Sequence, residues 1–463
     1  KDVTGMYYPD EVIEEVRSSN NIVDIIGGYV RLQKKGSSYF GLCPFHNEKS
    51  PSFSVSPNKQ MYYCFGCGAG GNVFTFIMEY ENQTFPEAVK ILADRAGIAL
   101  PEAELTEEQK RERNKRQLLL EINKTAANYF YYQLNGDQGQ QAREYLENRR
   151  LSKETQIHFG LGYASKYSND LYLYLKKKGY QDQILKETGL LTYDEKRGAH
   201  DKFWNRVMFP IMDVNNRVIG FGGRVMGDGT PKYLNSPETM LFDKSRNLYG
   251  LNYARTSRKP YMIICEGYMD VIAMHQAGFT NAVASLGTAF TAQHSVLLKR
   301  YTQEVRLAYD SDGAGQKAAL RAIPILKSAG INVRVIHMDP YKDPDEFIKA
   351  RGADAFRNLI ERSEDHNAFR IEQIAAKYDL EDDEARVLFL RDAARMLAGI
   401  ESTIEREVYA GRAAKMAGVT AEAMNVEVRR ELGIQRKRRK AAERREIRSP
   451  VGLAQPKDRS LAY

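Results

Sequence analysis

Hydrophobic and polar positions follow different periods in different parts of the chain, and these periods predict its helices and strands. Apolar residues at helical spacing predict one helix at Asp10–Ser18 and another at Asn72–Tyr80, with aromatic-rich strands between them. The helical spacing returns over residues 118–149. Within residues 206–225, two apolar runs flank the pair Asn215–Asn216, and this arrangement predicts a β-hairpin.

The pattern changes at Lys259, where short apolar runs begin to alternate with helical stretches. The runs are "YMIIC", "AVAS", "VRLAY" and "NVRVIHM". Such alternation is typical of a parallel α/β sheet. Residues 354–432 are predicted to form consecutive amphipathic helices. Residues 429–448 carry ten Lys or Arg against three Glu, which predicts an exposed helix or a disordered arm.

Composition narrows the class of protein. The 463 residues suffice for two to four domains, and 43% hydrophobic and 28% charged residues are usual for a globular chain. No apolar run approaches the roughly 20 residues of a membrane span. A secretory signal pattern is missing, and four cysteines make no disulfide framework, so we expect a cytoplasmic protein without membrane contact. The net charge of +8 favours a nucleic-acid partner only slightly.

Cysteine and histidine cluster near the N-terminus. Cys43 and His46 form a C-x2-H pair, and after seventeen intervening residues Cys64 and Cys67 form a C-x2-C pair. A pair spaced by two residues directs both side chains at one ion, so the two pairs predict the tetrahedral Cys3His shell of zinc. Because protein fills all four positions, the predicted zinc is structural rather than catalytic.

Aromatic rings surround this predicted zinc site, and lysines lie between them. Rings and cations together favour single-stranded nucleic acid, because bases stack on rings and phosphates pair with ammonium groups. The competing interpretation is that most of these rings form the core of a small ribbon. The residues are Tyr39, Phe45, Phe53, Tyr62, Tyr63 and Phe65, with Lys34, Lys35, Lys49 and Lys59.

The stretch "DSDGAG" puts two carboxylates, Asp310 and Asp312, on a glycine-rich turn after a predicted strand. A calcium loop of the EF-hand type fails, because Ala314 and Arg321 occupy ligand positions five and twelve. Two interpretations are left: a magnesium site, or a strand that merely ends at Asp310, which then caps a helix beginning near Gln316. We expect the two glycines to turn the chain so that both carboxylates face one ligand.

Acidic residues follow three of the predicted strands. Ligand sites in parallel α/β sheets gather at the carboxyl ends of the strands. Carboxylates brought together there repel one another and need a cation or shared protons, and magnesium suits them because it also binds substrate phosphate. The pattern therefore predicts phosphoryl chemistry. The acids are Glu266 and Asp270, Asp310 and Asp312, and Asp339, Asp343 and Asp345.

Five motifs closely resemble those of the bacterial replicative DNA primases of the DnaG type. They are "CPFHNEKSPSFSV" with "YYCFGCGAGGNVF", "RVMFPIMDVNNRVIGFGGRV", "PKYLNSPET", "CEGYMDVIA" and "LAYDSDGAG", in the family's order. The resemblance runs from about Tyr8 to about Arg351. It implies a multidomain α/β and α+β fold: an N-terminal zinc ribbon, then a polymerase region with a Toprim α/β core and a C-terminal helical subdomain.

The resemblance also implies an activity. Family members synthesise short RNA primers on single-stranded DNA from ribonucleoside triphosphates during chromosome replication, by two-metal phosphoryl transfer. The implied catalytic acids are Glu266, Asp310 and Asp312, with Asp270, Asp343 and Asp345 completing a surface for magnesium or manganese. Glu266 either acts as a base or positions metal. The implied DNA and nucleotide contacts are Arg149, Arg224, Lys232 and Lys244.

On this resemblance we predict six segments. They are a zinc-binding domain at 1–104, a charged linker at 105–116, the N-terminal part of the RNA polymerase domain at 117–256, a Toprim domain at 257–353, a helical subdomain at 354–432 and a basic tail at 433–463. The family's helicase-binding domain is expected to be absent or barely begun. We therefore expect weak or no binding to the replicative helicase.

Other classes of protein share parts of this pattern. Toprim acids also serve topoisomerases and nucleases, but the zinc ribbon and "PKYLNSPET" favour a primase. A phage-type primase fused to a helicase would need a G-x-x-x-x-G-K-[ST] phosphate loop, which the sequence lacks. A zinc-dependent DNA-binding factor without enzymatic activity stays a competing interpretation, and it predicts that Asp310→Ala leaves function intact.

Overall fold

The computed structural model describes residues 8–46, 48, 50–81, 83–100, 107–194 and 198–448. These residues divide into two units: the first runs to Asn332 and resumes at Met338–Glu361, and the second comprises Val333–His337 and the chain from Arg362 onward. Outside the described residues lie the start of the predicted zinc domain, its junction with the predicted linker at 101–106, Lys49 and residues 449–463 of the predicted tail.

The first unit begins with helices packed on a five-stranded antiparallel sheet in chain order. The helices are α1 (Asp10–Ser18), α2 (Ile22–Gly27), α3 (Val73–Tyr80) and α4 (Phe85–Ala96). The strands are β1 (Gln33–Lys35), β2 (Ser38–Gly41), β3 (Phe53–Ser56), β4 (Met61–Cys64) and β5 (Gly70–Gly71). Both predicted helices are confirmed, and the Asn72 side chain caps α3 by accepting the Thr75 N–H at 3.1 Å.

Strand β4 alternates between the two faces of this sheet. Tyr62 and Cys64 are buried, whereas Met61 and Tyr63 are exposed. The Tyr62 ring stacks on Phe53 of β3 at 5.3 Å between centroids. The core interpretation is therefore correct for Phe53 and Tyr62.

The middle of the first unit packs helices around an antiparallel sheet with the order β11-β10-β9-β6. The helices are α5 (Glu107–Asn135), α6 (Gln140–Asn148), α7 (Lys153–His158), α8 (Asp170–Lys177), α9 (Asp182–Leu185) and α10 (Leu251–Ala254). The strands are β6 (Gly162–Ala164), β7 (Leu191–Asp194), β8 (Gly198–Asp201), β9 (Arg206–Met212), β10 (Val218–Val225) and β11 (Tyr233–Asn235).

Two expectations for this region can be compared with the structure. The predicted hairpin is confirmed, because β9 and β10 pair antiparallel with Met212 opposite Val218. The charged stretch at 105–116 suggested a solvated linker or the exposed start of a helix, and its described residues, 107–116, are helical as part of α5. Farther along α5, buried Phe130 packs edge-on against Phe221 of β10 at 5.4 Å between ring centroids.

The last part of the first unit contains a parallel sheet in which β12 (Tyr261–Cys265) lies between β13 (Ala282–Ala284) and β14 (Glu304–Leu307). Both neighbours run parallel to β12, as the alternating pattern predicted. The helices are α11 (Tyr268–Gln276), α12 (Ala292–Lys299), α13 (Gly313–Ser328) and α14 (Pro344–Glu361). Because parallel strands end at the same edge, the residues that follow β12 and β14 are brought together.

The second unit combines a short strand pair with a bundle of helices. Strand β15 (Asn332–Val335) reaches into this unit and pairs antiparallel with β16 (Glu364–Asp365), a pairing that the sequence did not predict. The helices are α15 (His366–Ala375), α16 (Asp383–Leu397), α17 (Thr403–Met416) and α18 (Ala421–Arg448). The basic residues 433–448 thus continue α18. Across the described residues, no helix has both the length and the apolar character needed to cross a membrane.

Candidate functional site

Cys43, His46, Cys64 and Cys67 converge on one point beside the N-terminal sheet. Their ligand atoms all lie within 4.8 Å of one another. The Sγ atoms of Cys43 and Cys67 are 3.8 Å apart, and Cys64 Sγ lies 3.7 Å from His46 Nδ1. These separations fit four ligands around a single tetrahedral ion, and the mixture of sulfur and imidazole nitrogen suits zinc.

The cysteine ligands differ in how readily they ionise: burial raises the pKa of Cys43, whereas hydrogen bonds favour the thiolate form of Cys64. Burial raises the pKa of Cys64, but hydrogen bonds from the Ser52 hydroxyl and from the backbone N–H groups of Cys67 and Gly66 outweigh burial and lower this pKa to about 6. Glu48, which the sequence did not single out, lies 3.4 Å from His46 Nε2 through its Oε2. It therefore orients the imidazole with Nδ1 toward the sulfur ligands.

The aromatic residues near the zinc cluster have two different environments. Phe53 and Tyr62 belong to the core, whereas Tyr63 is 49% exposed and Phe65 is 71% exposed. The two exposed rings pack edge-on at 5.2 Å between centroids. Their exposure makes Tyr63 and Phe65, rather than the buried rings, the candidates for the predicted base stacking.

Glu266 and Asp310 meet at the carboxyl edge of the parallel sheet. Glu266 follows β12, and its Oε1 accepts the backbone N–H of Asp310, which follows β14, at 3.0 Å. A Cβ atom on Gly315 would lie 2.2 Å from the carbonyl oxygen of Asp310 and 2.5 Å from Glu266 Oε1. A Cβ on Gly313 would meet nothing within 4 Å. Position 315 therefore requires glycine for this close approach, whereas position 313 has room for a side chain. That the two glycines turn both carboxylates toward one ligand stays a prediction.

Burial and mutual repulsion make these acids difficult to ionise. Burial, followed by the charge of Asp310, raises the pKa of Glu266. Burial also raises the pKa of Asp310, with Lys342 opposing the shift and Asp343 adding to it. Burial, Asp343 and Asp310 together raise the pKa of Asp270 from 3.8 to about 8. A divalent cation would relieve this cost, so the site fits such an ion.

Asp312 has a different environment because it caps a helix. Its Oδ1 accepts the N–H groups of Ala314 at 3.0 Å and Gly315 at 2.9 Å at the start of α13. The Gly315 hydrogen bond is the main reason that the pKa of Asp312 lies below its usual range. A helix cap does occur here, but it is formed by the exposed Asp312 at the start of α13 (Gly313), not by Asp310 near Gln316 as the sequence had suggested.

The acids after β15 are held by their own neighbours. Buried Asp345 pairs through Oδ2 with Arg149 at 3.2 Å and with Lys349 at 2.6 Å. Asp343 Oδ1 accepts the Glu346 N–H at 2.8 Å, and Asp339 is exposed. Asp345 thus already has two cationic partners, which the sequence did not reveal.

The acids at the sheet edge are less tightly gathered than the zinc ligands. Within the described part of the chain, three or more ligand atoms within 4.8 Å occur at the zinc cluster and at His337, Glu364 and Glu372 of the second unit, where Arg412 bridges the two glutamates. Magnesium needs only one or two carboxylates and completes its shell with water and phosphate. The carboxylates of Glu266 and Asp310 are the candidates for such a pair.

Two of the implied basic residues share one tyrosine. Arg224 lies with its guanidinium carbon 4.2 Å from the centre of the Tyr145 ring, and Arg149 Nε donates to the Tyr145 hydroxyl at 3.2 Å. Lys232 is exposed next to β11, and Lys244 donates its backbone N–H to Glu238 at 3.2 Å. Tyr145 lies outside all the motifs, so no sequence signal indicated that it contacts both arginines.

The raised pKa of Asp270 predicts how stability depends on pH without added magnesium. The folded protein keeps this carboxyl protonated between its unfolded value of 3.8 and its folded value of about 8, so stability falls as the pH rises through that window. We expect the melting temperature to fall by a few degrees between about pH 5 and pH 8. In Asp270→Asn the melting temperature should depend less on pH. An equal dependence on pH in the variant and in wild type would contradict this prediction.

Four family models match successive parts of the chain. The model described as CHC2 zinc finger matches residues 8–108, and the DNA primase catalytic core, N-terminal domain, matches residues 129–255. The Toprim-like model matches residues 263–348. The zinc-finger match and the gathered Cys3His ligands together support a structural zinc.

The fourth model corrects one expectation. The DnaB-helicase binding domain of primase matches residues 368–422, which form most of the helical bundle in the second unit. Our expectation that this domain is absent or barely begun was wrong, and so was the weak or missing helicase binding that we expected from it. The sequence of the bundle shows only amphipathic spacing of its apolar residues. Such spacing indicates how the helices pack and does not indicate which partner they bind.

Two DNA primases are similar to this chain over most of its length. The DNA primase of Clostridium acetobutylicum is 42% identical over 416 residues, covering 90% of this chain and 69% of that relative. The DNA primase of Listeria innocua is 38% identical and covers 92% of this chain and 69% of that relative.

The structure of the zinc-binding and RNA polymerase domains of Aquifex aeolicus primase matches with a TM-score of 0.56 at 35% identity, covering 89% of this chain and 98% of that one. A DnaG primase catalytic domain bound to single-stranded DNA matches with a TM-score of 0.57 at 35% identity, over 66% of this chain and 98% of that one. With its zinc cluster, its acidic sheet edge and these similarities, the chain belongs to the bacterial DNA primases of the DnaG type.

Proposed function

We propose that this primase joins ribonucleotides by two-metal phosphoryl transfer at the carboxyl edge of its parallel sheet, with Glu266 and Asp310 as the central acids. The observation that carries the proposal is the 3.0 Å hydrogen bond from the Asp310 N–H to Glu266 Oε1, beside the tight approach of Gly315. Divalent cations held there would activate the primer 3′-hydroxyl and neutralise charge on the triphosphate.

The remaining acids take supporting roles in this proposal. Asp270, Asp312 and Asp343 complete the negative surface on which the cations rest. Asp345 serves chiefly to position Arg149, since it already holds that guanidinium at 3.2 Å. The donors at this edge are carboxylate oxygens, which favour magnesium or manganese over softer metals.

Basic and aromatic residues are proposed to guide the template and the nucleotide. Arg224 and Arg149, both in contact with Tyr145, offer guanidinium groups to phosphate. Lys232 and Lys244 add ammonium groups. The exposed rings of Tyr63 and Phe65 would stack with bases of single-stranded DNA, which fits their position on the outer face of the zinc-bearing sheet.

The segment boundaries predicted from the sequence are also proposed as domain boundaries. The four family matches at 8–108, 129–255, 263–348 and 368–422 lie close to these divisions. A cytoplasmic location stays a prediction from the sequence.

Primer synthesis tests the proposed chemistry directly. The protein is incubated with a single-stranded template, ribonucleoside triphosphates and magnesium or manganese, and RNA products are resolved on a gel. Short RNA that depends on both template and metal is the expected product. No product with either ion, from protein of full zinc content, would overturn the proposal and favour a non-enzymatic DNA-binding factor.

We also propose that the helical bundle of the second unit binds the replicative helicase through the outer side of α17. Ile404 is 77% exposed and Val408 is 63% exposed, and their spacing of four residues puts them on one side of the helix. Buried Ala410, Ala413 and Ala414 face the bundle core. Exposed glutamates flank the pair, which fits a partner with an apolar centre and a basic rim. They are Glu401, Glu405 and Glu407.

The double substitution Ile404→Glu with Val408→Glu should weaken binding to the cognate helicase at least about tenfold, because it puts two charges into an apolar contact. Affinity is measured by biolayer interferometry, and primer synthesis without helicase should be unchanged. Leu173→Glu in α8, where the apolar side chain is 56% exposed, is the matched control and should bind normally. Undiminished affinity of the double variant would exclude this face.

A further inference from the structure

Lys342 occupies a fixed place between two of the loops that carry acids. Its carbonyl accepts the Ser311 N–H at 2.8 Å, and its own N–H donates to Glu346 Oε2 at 2.6 Å. The first bond ties it to the loop of Asp310, and the second to the first turn of α14. The backbone of Lys342 is therefore held at the sheet edge, although its side chain is 60% exposed.

The ammonium group of Lys342 points at the acid that we assign to metal. Its Nζ lies 3.4 Å from Asp310 Oδ2. The charges of Asp310, Asp312 and Asp343 all act on this group, so the ammonium lies where several carboxylates favour a positive charge. That is the electrostatic condition for a bound cation as well.

A plain surface ion pair is the simplest alternative. Exposed pairs of lysine and carboxylate contribute about 0–1 kcal/mol and are easily broken. The same weakness allows a divalent cation to displace Lys342 from Asp310, because two charges at short range attract the carboxylate more strongly than one. The displaced ammonium stays anchored through its backbone beside the site, where phosphate oxygens would be its nearest new partners.

We propose that Lys342 neutralises Asp310 before metal binds, gives way to the metal, and then contacts the triphosphate of the incoming nucleotide. The proposal rests on the proposed metal role of Asp310. In it, Lys342 competes with metal in the free enzyme and binds substrate in the loaded one. Removing its charge should therefore have opposite effects on these two binding events.

Metal binding is the first test. Manganese binding without nucleotide is measured by electron paramagnetic resonance for wild type, Lys342→Met and Lys342→Arg. Lys342→Met should bind manganese about tenfold more tightly, because a competing charge a few ångströms away is gone. Lys342→Arg should resemble wild type. Lys317→Met, which removes an exposed lysine on α13, is the matched control and should change little.

Nucleotide binding is the second test. At saturating metal, Lys342→Met should raise KM for ribonucleoside triphosphates about five- to tenfold with little change in kcat, and Lys342→Arg should restore most of this loss. Unchanged manganese affinity together with unchanged KM would leave Lys342 as an ordinary surface charge and overturn the proposal. A change in only one of the two would overturn the exchange between metal and triphosphate.

A further variant separates this inference from the function on which it rests. Asp310→Asn should lose most of the manganese binding seen with wild type. If Asp310→Asn binds manganese normally, the assignment of the metal site is wrong, and the proposed role of Lys342 is wrong as well. If Asp310→Asn loses manganese binding while Lys342→Met matches wild type in both tests, only the role of Lys342 is wrong.

Discussion

Glu266→Gln should reduce primer synthesis at least about a thousandfold while leaving the protein folded. The amide keeps the shape of the side chain and can still accept the Asp310 N–H, but it brings no negative charge to a cation. Because burial raises the pKa of Glu266, losing this carboxylate relieves a cost of folding. The melting temperature should therefore stay level or rise. RNA synthesis on a single-stranded template and thermal unfolding measure the two effects.

Glu361→Gln is the matched control for this experiment, since it changes an exposed carboxylate at the end of α14. It should retain wild-type synthesis. Asp310→Asn should behave like Glu266→Gln. Full activity of either Glu266→Gln or Asp310→Asn would mean that these acids are structural, as the interpretation of a non-enzymatic DNA-binding factor requires.

Gly315→Ala should reduce primer synthesis by about a hundredfold, because displacement of reacting groups by even an ångström is costly. Its Cβ would lie 2.2 Å from the Asp310 carbonyl oxygen and 2.5 Å from Glu266 Oε1, so both acids must move. Backbone atoms cannot step aside as the end of a flexible side chain can. Synthesis rates and manganese affinity should fall together, since the same displacement disturbs the metal-holding edge.

Gly313→Ala provides a control two residues away. Gly313 is the first residue of α13, and a Cβ atom at this position would have no other atom within 4 Å. Its activity should be unchanged, and its stability should be level or higher by roughly 0.4–1 kcal/mol, because alanine restricts the unfolded chain. Equal losses in both alanine variants would indicate that the turn needs glycine for flexibility rather than for space.

The zinc ligands were predictable because their chemistry lies in local spacing. A C-x2-H pair and a C-x2-C pair specify a tetrahedral site whatever surrounds them. The meeting of Glu266 with Asp310 was also predictable, since the alternation of strands and helices implies a parallel sheet and the acids follow its strands. Local patterns thus identified what each segment contributes to the edge of the sheet.

Contacts between distant segments were not predictable in this way. Arg149 and Asp345 are 196 residues apart, and neither residue type distinguishes an ion pair from a solvated charge. The contact of Lys342 with Asp310 and the tight approach of Gly315 likewise depend on how loops cross in space. Residues 333–337 group with the helical bundle, although their sequence matches the strand pattern of the preceding sheet. These features arise from packing, which one sequence does not record.

The shared contacts of Arg149 have a thermodynamic consequence. Its guanidinium contacts both Tyr145 and Asp345. The Tyr145 ring also contacts Arg224. The charge of Asp345 contributes to the raised pKa of Asp270. An anion that binds Arg149 in place of Asp345 leaves that carboxylate with Lys349 as its cationic partner. The surrounding acids then bind a cation more strongly. By reciprocity, a cation at the acids makes Arg149 easier to release to the anion. Polyanion and metal would each strengthen the binding of the other.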